Sequence, residues 1–288
     1  MLRISLPLRI HAWGGLGSQL FAIELAQFLA DKYPNRELTI FLHTGGVTRR
    51  EPEIAALFPE YRYVIVDDFS DKNSNARIQE SPLTKRLWSI SRSGARKCIE
   101  ILGLTASCND DKSSLRIRPW VLSLRGHYSY RTINPEFLSL LKHLIESKRD
   151  STSPLPRNYC AIHYRLGDLL TLAEKNPIAE ESIRDEVFRV LPTHRFDSLI
   201  VLSDSPREAS IRLSGISQIE IVFPDFGTID VIATSLHATY FIGTSSKISF
   251  WIAAIRSSTS SLDSSLPLVN NKQYERMLVS KDGAVHQF

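Results

Sequence analysis

The sequence has few cysteines and no long apolar run. Its three cysteines, Cys98, Cys108 and Cys160, are odd in number and form no CxxC pair. The cysteines therefore indicate neither a disulfide framework nor a zinc site, and a reducing compartment fits them best. No stretch approaches the ~20 apolar residues that a membrane-spanning helix needs. The N-terminal run is too short and too polar for a signal peptide. We therefore expect a cytoplasmic protein.

The second half of the chain also lacks a basic excess. The formal net charge is +4, yet residues 151–288 contain 13 Lys and Arg against 15 Asp and Glu. A broad nucleic-acid surface needs a basic stripe interleaved with stacking aromatic residues. Because the second half has neither, we expect no nucleic-acid partner.

What the chain does contain is the composition of a globular protein. Of its 288 residues, 43% are hydrophobic and 23% are charged. At ~100–200 residues per domain, this length predicts two domains. The Ser- and Pro-containing stretch 151–157 predicts a linker between them. We therefore place one domain at 1–152 and a second at 153–288.

The second domain alternates short apolar runs with helical segments. The pattern predicts βαβ units, and therefore an α/β fold with parallel sheets. The predicted strands are Tyr159–Tyr164, Ser198–Leu202, Ile219–Phe223, Thr239–Ile242 and Leu266–Val269, and the predicted helices are Glu181–Val190, Pro206–Leu213, Thr228–His237 and Ser246–Ile255. The first domain begins in the same way, with strand Leu2–Ala12 and helix Ser18–Lys32 on either side of a glycine turn.

Polar residues follow the predicted strands of the second domain. In parallel sheets, ligands bind beyond the carboxyl ends of the strands. An Arg fork grips phosphate oxygens, serines at a helix N-terminus hold phosphate, and a carboxylate can accept hydrogen bonds from a guanine ring. Together these residues predict a nucleoside diphosphate pocket: His163, Arg165, Asp168, Asp204, Asp230, Thr244, Ser245 and Ser246.

Five motifs in order resemble those of the α-1,2-fucosyltransferases. The segment 14–21, GGLGSQLF, is similar to the family's GGLGNQLF signature, and 163–168, HYRLGD, resembles HxRxGD. The segment 202–205, LSDS, resembles FSDD. Asp230 followed by 243–251, GTSSKISFW, resembles the Asp…NSTFSWW block, and 125–128, RGHY, lies where the family has an aromatic GYW or GYF motif. The five motifs follow the order and spacing of the family from residue 14 to about residue 255.

The resemblance implies a GT-B architecture, in which two Rossmann-like doubly wound domains face a cleft. It implies an inverting transfer of L-fucose from GDP-fucose to a glycan hydroxyl, with an α-1,2 linkage and a role in bacterial-type surface polysaccharide assembly. The catalytic residues would be Arg165, His163 and Asp168. The donor would be bound by Gly15, Gly17, Asp204, Asp230, Thr244, Ser245 and Ser246. No metal is implied, and the absence of an Asp-x-Asp motif agrees with that.

The chain departs from these motifs at four positions, and other interpretations stay open. Ser18, Leu166, Ser205 and Ser129 replace Asn, Arg, Asp and Gln respectively. The alternatives are a glycosyltransferase that uses another nucleotide sugar and a non-catalytic nucleotide- or glycan-binding relative. A dinucleotide oxidoreductase is a third alternative, although the last glycine of GxGxxG falls at Leu20. The structural alternative for His163 is a core histidine, and for Asp168 it is a helix cap or a partner of Arg165.

One segment of the first half combines basic and apolar residues. Ser81–Leu104 contains Lys85, Arg86, Arg92, Arg96 and Lys97 among aliphatic residues and Trp88. This combination is typical of helices that lie on anionic membrane surfaces. An ordinary surface helix is the alternative, and Gly94 argues against one continuous helix. The membrane hypothesis predicts peripheral contact with the inner membrane face, where the acceptor glycan would be lipid-linked.

Overall fold

The computed structural model describes residues 6–46, 48–69, 102–107, 115–126, 128, 133–149, 156–170, 177–216, 219–259, 263–264, 277–279 and 285–287. The chain divides into two compact units, unit 1 at Met1–Tyr130 and unit 2 at Arg131–Phe288. Among the described residues, no helix is long and apolar enough to cross a membrane.

Unit 1 contains a five-stranded parallel sheet in the order β3-β2-β1-β5-β4. The chain passes outward from β1 to β3 and then returns to the other side of β1. The order therefore reverses between β1 and β5. Its described elements are β1 (Leu8–Trp13), α1 (Leu16–Lys32), β2 (Leu38–His43), α2 (Ile54–Leu57), β3 (Tyr63–Val66), β4 (Thr105–Ser107) and β5 (Ser123–Arg125).

The strand β1 separates an apolar face of this sheet from a polar one. Successive side chains of a strand point to opposite faces. Leu8, Ile10 and Ala12 are buried on one face. Arg9, His11 and Trp13 therefore point to the other face.

Unit 2 repeats this arrangement with a second five-stranded parallel sheet, in the order β10-β9-β6-β7-β8. Here the order reverses between β6 and β9. Its described elements are α3 (Pro135–Lys148), β6 (Tyr159–His163), α4 (Glu180–Val190), β7 (Ser198–Leu202), α5 (Pro206–Leu213), β8 (Glu220–Val222), α6 (Thr228–His237), β9 (Tyr240–Gly243), α7 (Lys247–Thr259), β10 (Asp263–Ser264) and an antiparallel pair, β11 (Met277–Val279) and β12 (Val285–Gln287).

Helices cover both faces of the unit 2 sheet. On one face, Ile183 of α4 and Leu213 of α5 pack in a buried cluster with Ile162 of β6. On the other face, the Tyr159 hydroxyl of β6 donates a hydrogen bond to Thr234 O of α6 at 2.7 Å. The prediction of an α/β fold with parallel sheets is confirmed, and the predicted second-half strands are found except Leu266–Val269, which lies outside the described residues.

The boundary between the units differs from the one predicted at 152/153, because α3 belongs with unit 2. Asn134 caps this helix by accepting a hydrogen bond from Glu136 N at 3.0 Å. Its buried face includes Phe137, whose ring meets Trp251 of α7 edge-on at a centroid distance of 5.8 Å. The apolar face of α3 therefore ties the segment before the Ser/Pro stretch to the second unit.

Two further sequence predictions fall wholly or mostly outside the described residues. Of Ser81–Leu104, the structure describes only the last three residues, so the membrane hypothesis stays a prediction. Ser129, one of the four departures, also lies outside. Of the three cysteines, Cys160 is described, and it is a buried free thiol whose pKa is raised by burial.

Candidate active site

The candidate site lies where the strand order of unit 2 reverses. The ends of β6 and β9 are neighbours there, with His163 opposite Gly243. Thr244 links them, because its Oγ1 accepts a hydrogen bond from Arg165 N at 3.1 Å and donates one to His163 O at 2.8 Å. In open α/β sheets, ligands bind beyond the carboxyl ends of strands at such a reversal. Thr244 therefore fixes the backbone that carries Arg165 at the expected ligand position.

Arg165 forms an ion pair with Asp168 in the turn that follows β6. Its Nη2 donates to both carboxylate oxygens of Asp168, at 2.9 and 3.1 Å. The Asp168 side chain is only 8% exposed and that of Arg165 23%. A partly buried, charge-assisted contact of this kind restrains the guanidinium. The structure thus brings two of the predicted catalytic residues together, with Asp168 orienting Arg165.

Asp204 holds the same turn from the end of β7. Its Oδ1 accepts hydrogen bonds from Leu166 N at 2.8 Å and Gly167 N at 2.9 Å. The sequence predicted that Asp204 binds the donor. The described contacts give it a positioning role in the turn that carries Arg165 and Asp168, and direct contact with a donor stays a prediction.

His163 is buried beneath the site and forms a short contact with the last helix. Its Nδ1 lies 2.6 Å from Ser249 Oγ, which in turn accepts a hydrogen bond from Thr244 N at 3.1 Å. Burial, with a smaller effect of the Arg165 charge, lowers the pKa of His163 to about 3. The ring is therefore neutral near pH 7 and suited to fixing the position of Thr244. A catalytic role for His163 stays a prediction.

The N-terminus of α7 contributes a serine cap and a lysine. Ser246 Oγ accepts a hydrogen bond from Ile248 N at 3.2 Å, while Ser245 is half-buried. Lys247, the first residue of α7, was not predicted. Burial and the nearby charge of Arg165 lower its pKa to about 8. A basic residue in the first turn of a helix is unfavourable for the helix dipole. That unfavourable position is the sequence signal that would have found Lys247.

Asp230 lies in the first turn of α6, after β8, and is half-buried. The helix returns across the sheet and contacts β6 through Tyr159 and Thr234. The N-terminus of a crossover helix lies at the carboxyl edge of its sheet, so Asp230 belongs to the same edge as Arg165 and Thr244.

Gly15 and Gly17 belong to unit 1, at the start of α1. Gly14 has φ +95°, so this turn requires glycine. A Cβ added at Gly15 would meet no atom within 4 Å, whereas Gly17 is buried. The motif glutamine, Gln19, ties the turn to a neighbouring segment, since its Nε2 donates to Gly14 O at 3.1 Å and to Glu51 O at 2.8 Å. The glycine motif thus has a structural role, and donor binding by Gly15 and Gly17 stays a prediction.

The described residues contain no group of three or more His, Cys, Asp or Glu side chains that could hold a metal ion. No family model and no curated protein matches the sequence. Among solved structures, the chain is similar to POFUT1 in complex with GDP-fucose, with 12% identity over 92% of this chain and 98% of that one and a TM-score of 0.48. It is also similar to NodZ alpha-1,6-fucosyltransferase soaked with GDP-fucose, with 10% identity over 86% of this chain and 92% of that one and a TM-score of 0.43. A third similar structure is the E. coli heptosyltransferase WaaC with ADP, with 12% identity over 87% of this chain and 85% of that one and a TM-score of 0.44.

Proposed function

We propose that this protein is a GT-B-type glycosyltransferase that transfers L-fucose from GDP-fucose to a glycan hydroxyl. We further propose that the transfer inverts the anomeric centre, makes an α-1,2 linkage and needs no metal ion. The identity of the donor rests on the five ordered motifs. The chemistry rests on the residues at the strand-order reversal of unit 2.

The observation that carries the proposal is the accumulation of positive charge at that reversal. Arg165 and Lys247 are close enough for the charge of one to lower the pKa of the other. Backbone N–H groups at the start of α7 add the positive end of a helix dipole. Asp168 pairs with Arg165 and balances one of these positive charges, so Lys247 and the helix N-terminus remain for a further anion. A diphosphate provides that anion.

Leu166 supports the role of Lys247. The HxRxGD resemblance expects a second arginine at position 166, but Leu166 is fully buried in the apolar cluster beneath α4 and α5. The residue after Arg165 therefore points into the core and adds no charge. We propose that Lys247 supplies the second cation in this chain.

The same groups account for the reaction. The acceptor oxygen forms a bond to C1 of fucose. At the same time the bond between C1 and the β-phosphate oxygen breaks, and the electron pair of that bond stays on GDP. Arg165, Lys247 and the α7 N–H groups stabilise that developing negative charge, which is the task that a preorganised cationic site performs best. Asp168 keeps the guanidinium in place, and Asp230 accepts hydrogen bonds from guanine.

Nucleotide binding tests the donor assignment. We expect GDP to raise the melting temperature without added divalent metal and in the presence of EDTA, and UDP, CMP and dTDP to have smaller effects. A ligand at a hundred times its Kd stabilises the folded state by ~2.7 kcal/mol. A shift with UDP but none with GDP would refute the assignment.

Turnover separates a transferase from a binding protein with the same fold. We expect the enzyme to release GDP slowly from GDP-fucose when water is the acceptor, and EDTA to leave this rate unchanged. Binding of GDP without any release, with or without a panel of galactosides, would favour the non-catalytic relative. Loss of release on EDTA treatment would contradict the metal-free mechanism.

A further inference from the structure

The strand-order reversal of unit 1 carries a cluster of aromatic and cationic side chains that the donor site does not use. His11 and Trp13 belong to β1, His43 ends β2, and Arg125 ends β5 on the opposite side of β1. The register of β1 and β5 places Arg125 beside His11, on the same face of the sheet. In open α/β sheets, ligands bind at such a reversal, beyond the carboxyl ends of the strands.

The aromatic part of this cluster is a stack of rings with one exposed member. His11 Nδ1 lies 2.9 Å from His43 Nε2. The Trp13 indole stacks on His43 at a centroid distance of 4.3 Å and an interplanar angle of 17°. Trp13 nevertheless stays 37% exposed. An indole that is fixed by packing and still exposed offers a flat apolar surface and an N–H donor, the two kinds of contact that a sugar ring makes through its C–H groups and its hydroxyls.

Arg125 adds a cation whose hydrogen-bonding capacity is only partly used. Its guanidinium carbon lies 5.9 Å from the centre of the Trp13 ring. Its Nε is buried and has no hydrogen-bond partner among the described residues, and the same is true of Ser123 Oγ, two residues earlier on the same face of β5. Buried polar groups in proteins are almost always paired. Two buried polar atoms without partners on one face of β5 therefore indicate a polar ligand beside this strand.

The charge at this position is positive, and the carboxylates that the structure describes do not balance it. Of the ion pairs described in unit 1, none involves Arg125 or Arg9. Burial, then the charge of Arg125, then those of His43 and Arg9 lower the pKa of His11 to about 4, whereas a carboxylate beside the ring would raise it. Asp68 contacts His43 instead, on the far side of β1 from Arg125, with Oδ2 2.8 Å from Nδ1. An anionic group is therefore the ligand that this position favours.

We propose that unit 1 binds an acidic saccharide, with the carboxylate of the ligand on Arg125 and its sugar ring against Trp13. The planar fork of an arginine matches a carboxylate through two parallel hydrogen bonds. Nε of Arg125 is one of the two donors, and it is the atom that has no partner among the described residues. The choice of a saccharide rests on the proposed function, in which a glycan is a substrate. The choice of an anion rests on the surroundings of Arg125.

Direct binding to the full chain, without any nucleotide, tests this site. The probes for calorimetry are trigalacturonic acid, a hyaluronan tetrasaccharide and sialyllactose, each beside its methyl ester, together with inorganic phosphate. The ester keeps the sugar rings and removes the charge, so we expect at least one acid to bind about tenfold more tightly than its ester. Equal Kd values for every acid and its ester, or no binding of any acid, would overturn the proposal. Phosphate that binds as tightly as the best acid would overturn the role of the sugar ring.

Matched variants separate the cation from the ring. Arg125→Gln should abolish the preference for the acid over its ester, whereas Trp13→Leu should weaken both ligands alike. The controls are Arg118→Gln and Trp120→Leu, which alter a second Arg–Trp pair of unit 1, with the guanidinium carbon 5.5 Å from the ring centre, that precedes β5 instead of following from its end. We expect both controls to bind as wild type. An acid preference that survives in Arg125→Gln, or that is lost equally in Arg118→Gln, would overturn the assignment.

A measurement on the wild-type protein keeps the site testable even where a variant folds poorly. In nitrogen-15 spectra, the indole N–H signal of Trp13 should shift as the best-bound acid is added, and that of Trp120 should not. An unshifted Trp13 signal at saturation would overturn the site. None of these experiments uses GDP. Protein that binds the acid but no GDP would therefore overturn the donor assignment alone, and protein that binds GDP but no acid would overturn the unit 1 site alone.

Discussion

The carboxylate of Asp204 lies so close to Gly167 that any side chain at position 167 would have to displace it. Oδ1 accepts the Gly167 N–H at 2.9 Å, and a Cβ added at Gly167 would lie 2.2 Å from Oδ2. The carboxylate cannot move away without breaking its hydrogen bonds to the turn. This contact makes the turn after β6 dependent on the end of β7.

A double-mutant cycle tests that dependence. We expect Gly167→Ala to lower the free energy of unfolding by about 2–3 kcal/mol, through overpacking and the loss of hydrogen bonds. In an Asp204→Ala background, the same change should cost clearly less, because the clashing carboxylate is gone. Urea unfolding of the four proteins measures the coupling. If Gly167→Ala lowered the free energy of unfolding equally in both backgrounds, the contact with Asp204 would not be the cause of the destabilisation.

Arg165 should not tolerate lysine, although lysine keeps the charge. A lysine is a point donor and lacks the planar fork that binds Asp168 and phosphate oxygens together. We expect Arg165→Lys to lower kcat for GDP release about 10²–10³-fold. Arg195→Lys, an exposed arginine in the loop before β7, is the matched control and should behave as wild type. Near-normal turnover in Arg165→Lys would remove Arg165 from the mechanism.

GDP affinity should decrease as the pH rises through about 8, the value to which burial and Arg165 lower the pKa of Lys247. Lys247 carries its positive charge only below its pKa, so the attraction for diphosphate is present at pH 7 and is lost above pH 8. Because a single proton is involved, the Kd for GDP can rise by at most about tenfold per pH unit. Calorimetry between pH 6.5 and 9 measures it.

The matched variants for that titration are Lys247→Met and Lys148→Met. The first should bind GDP more weakly and with little pH dependence over this range. The second removes an exposed lysine at the end of α3 and should titrate as wild type. An unchanged pH dependence in Lys247→Met would assign the titration to another group.

Arg256 should be essential for the stability of unit 2. It is 1% exposed, and its Nη1 donates to Ser235 O at 2.9 Å and Ala238 O at 2.8 Å at the C-terminal end of α6. Arg256→Met leaves these carbonyls buried without a donor, so we expect a loss of about 2–4 kcal/mol in the free energy of unfolding. Arg62→Met, which removes an exposed pair with Glu37, should cost less than about 1 kcal/mol. Equal losses in the two variants would contradict this role.

The sequence predicted which edge of the unit 2 sheet carries the candidate site residues, but not what each of these residues contacts. Strand ends are visible as polar residues after short apolar runs, and this placed Arg165, Asp168 and Thr244 correctly at one edge. Strand order depends on long-range pairing that periodicity does not reveal. The reversal between β1 and β5 was therefore not predicted, and neither was the meeting of His11 with His43. Likewise, the spacing of residues along the chain does not reveal that Asp204 binds backbone N–H groups of the turn.

Successive side chains of β1 point to opposite faces of the sheet, so the number of residues in this strand matters as much as their type. Leu8, Ile10 and Ala12 occupy the buried face, and His11 shares the opposite face with Trp13. Inserting or deleting a single residue between Leu8 and His11 would exchange the two sets, since the side-chain repeat of a strand is two. An imidazole would then enter the apolar core, and an aliphatic side chain would replace it beside His43. Homologues of this chain should therefore vary in residue type within β1 but carry insertions and deletions only outside it.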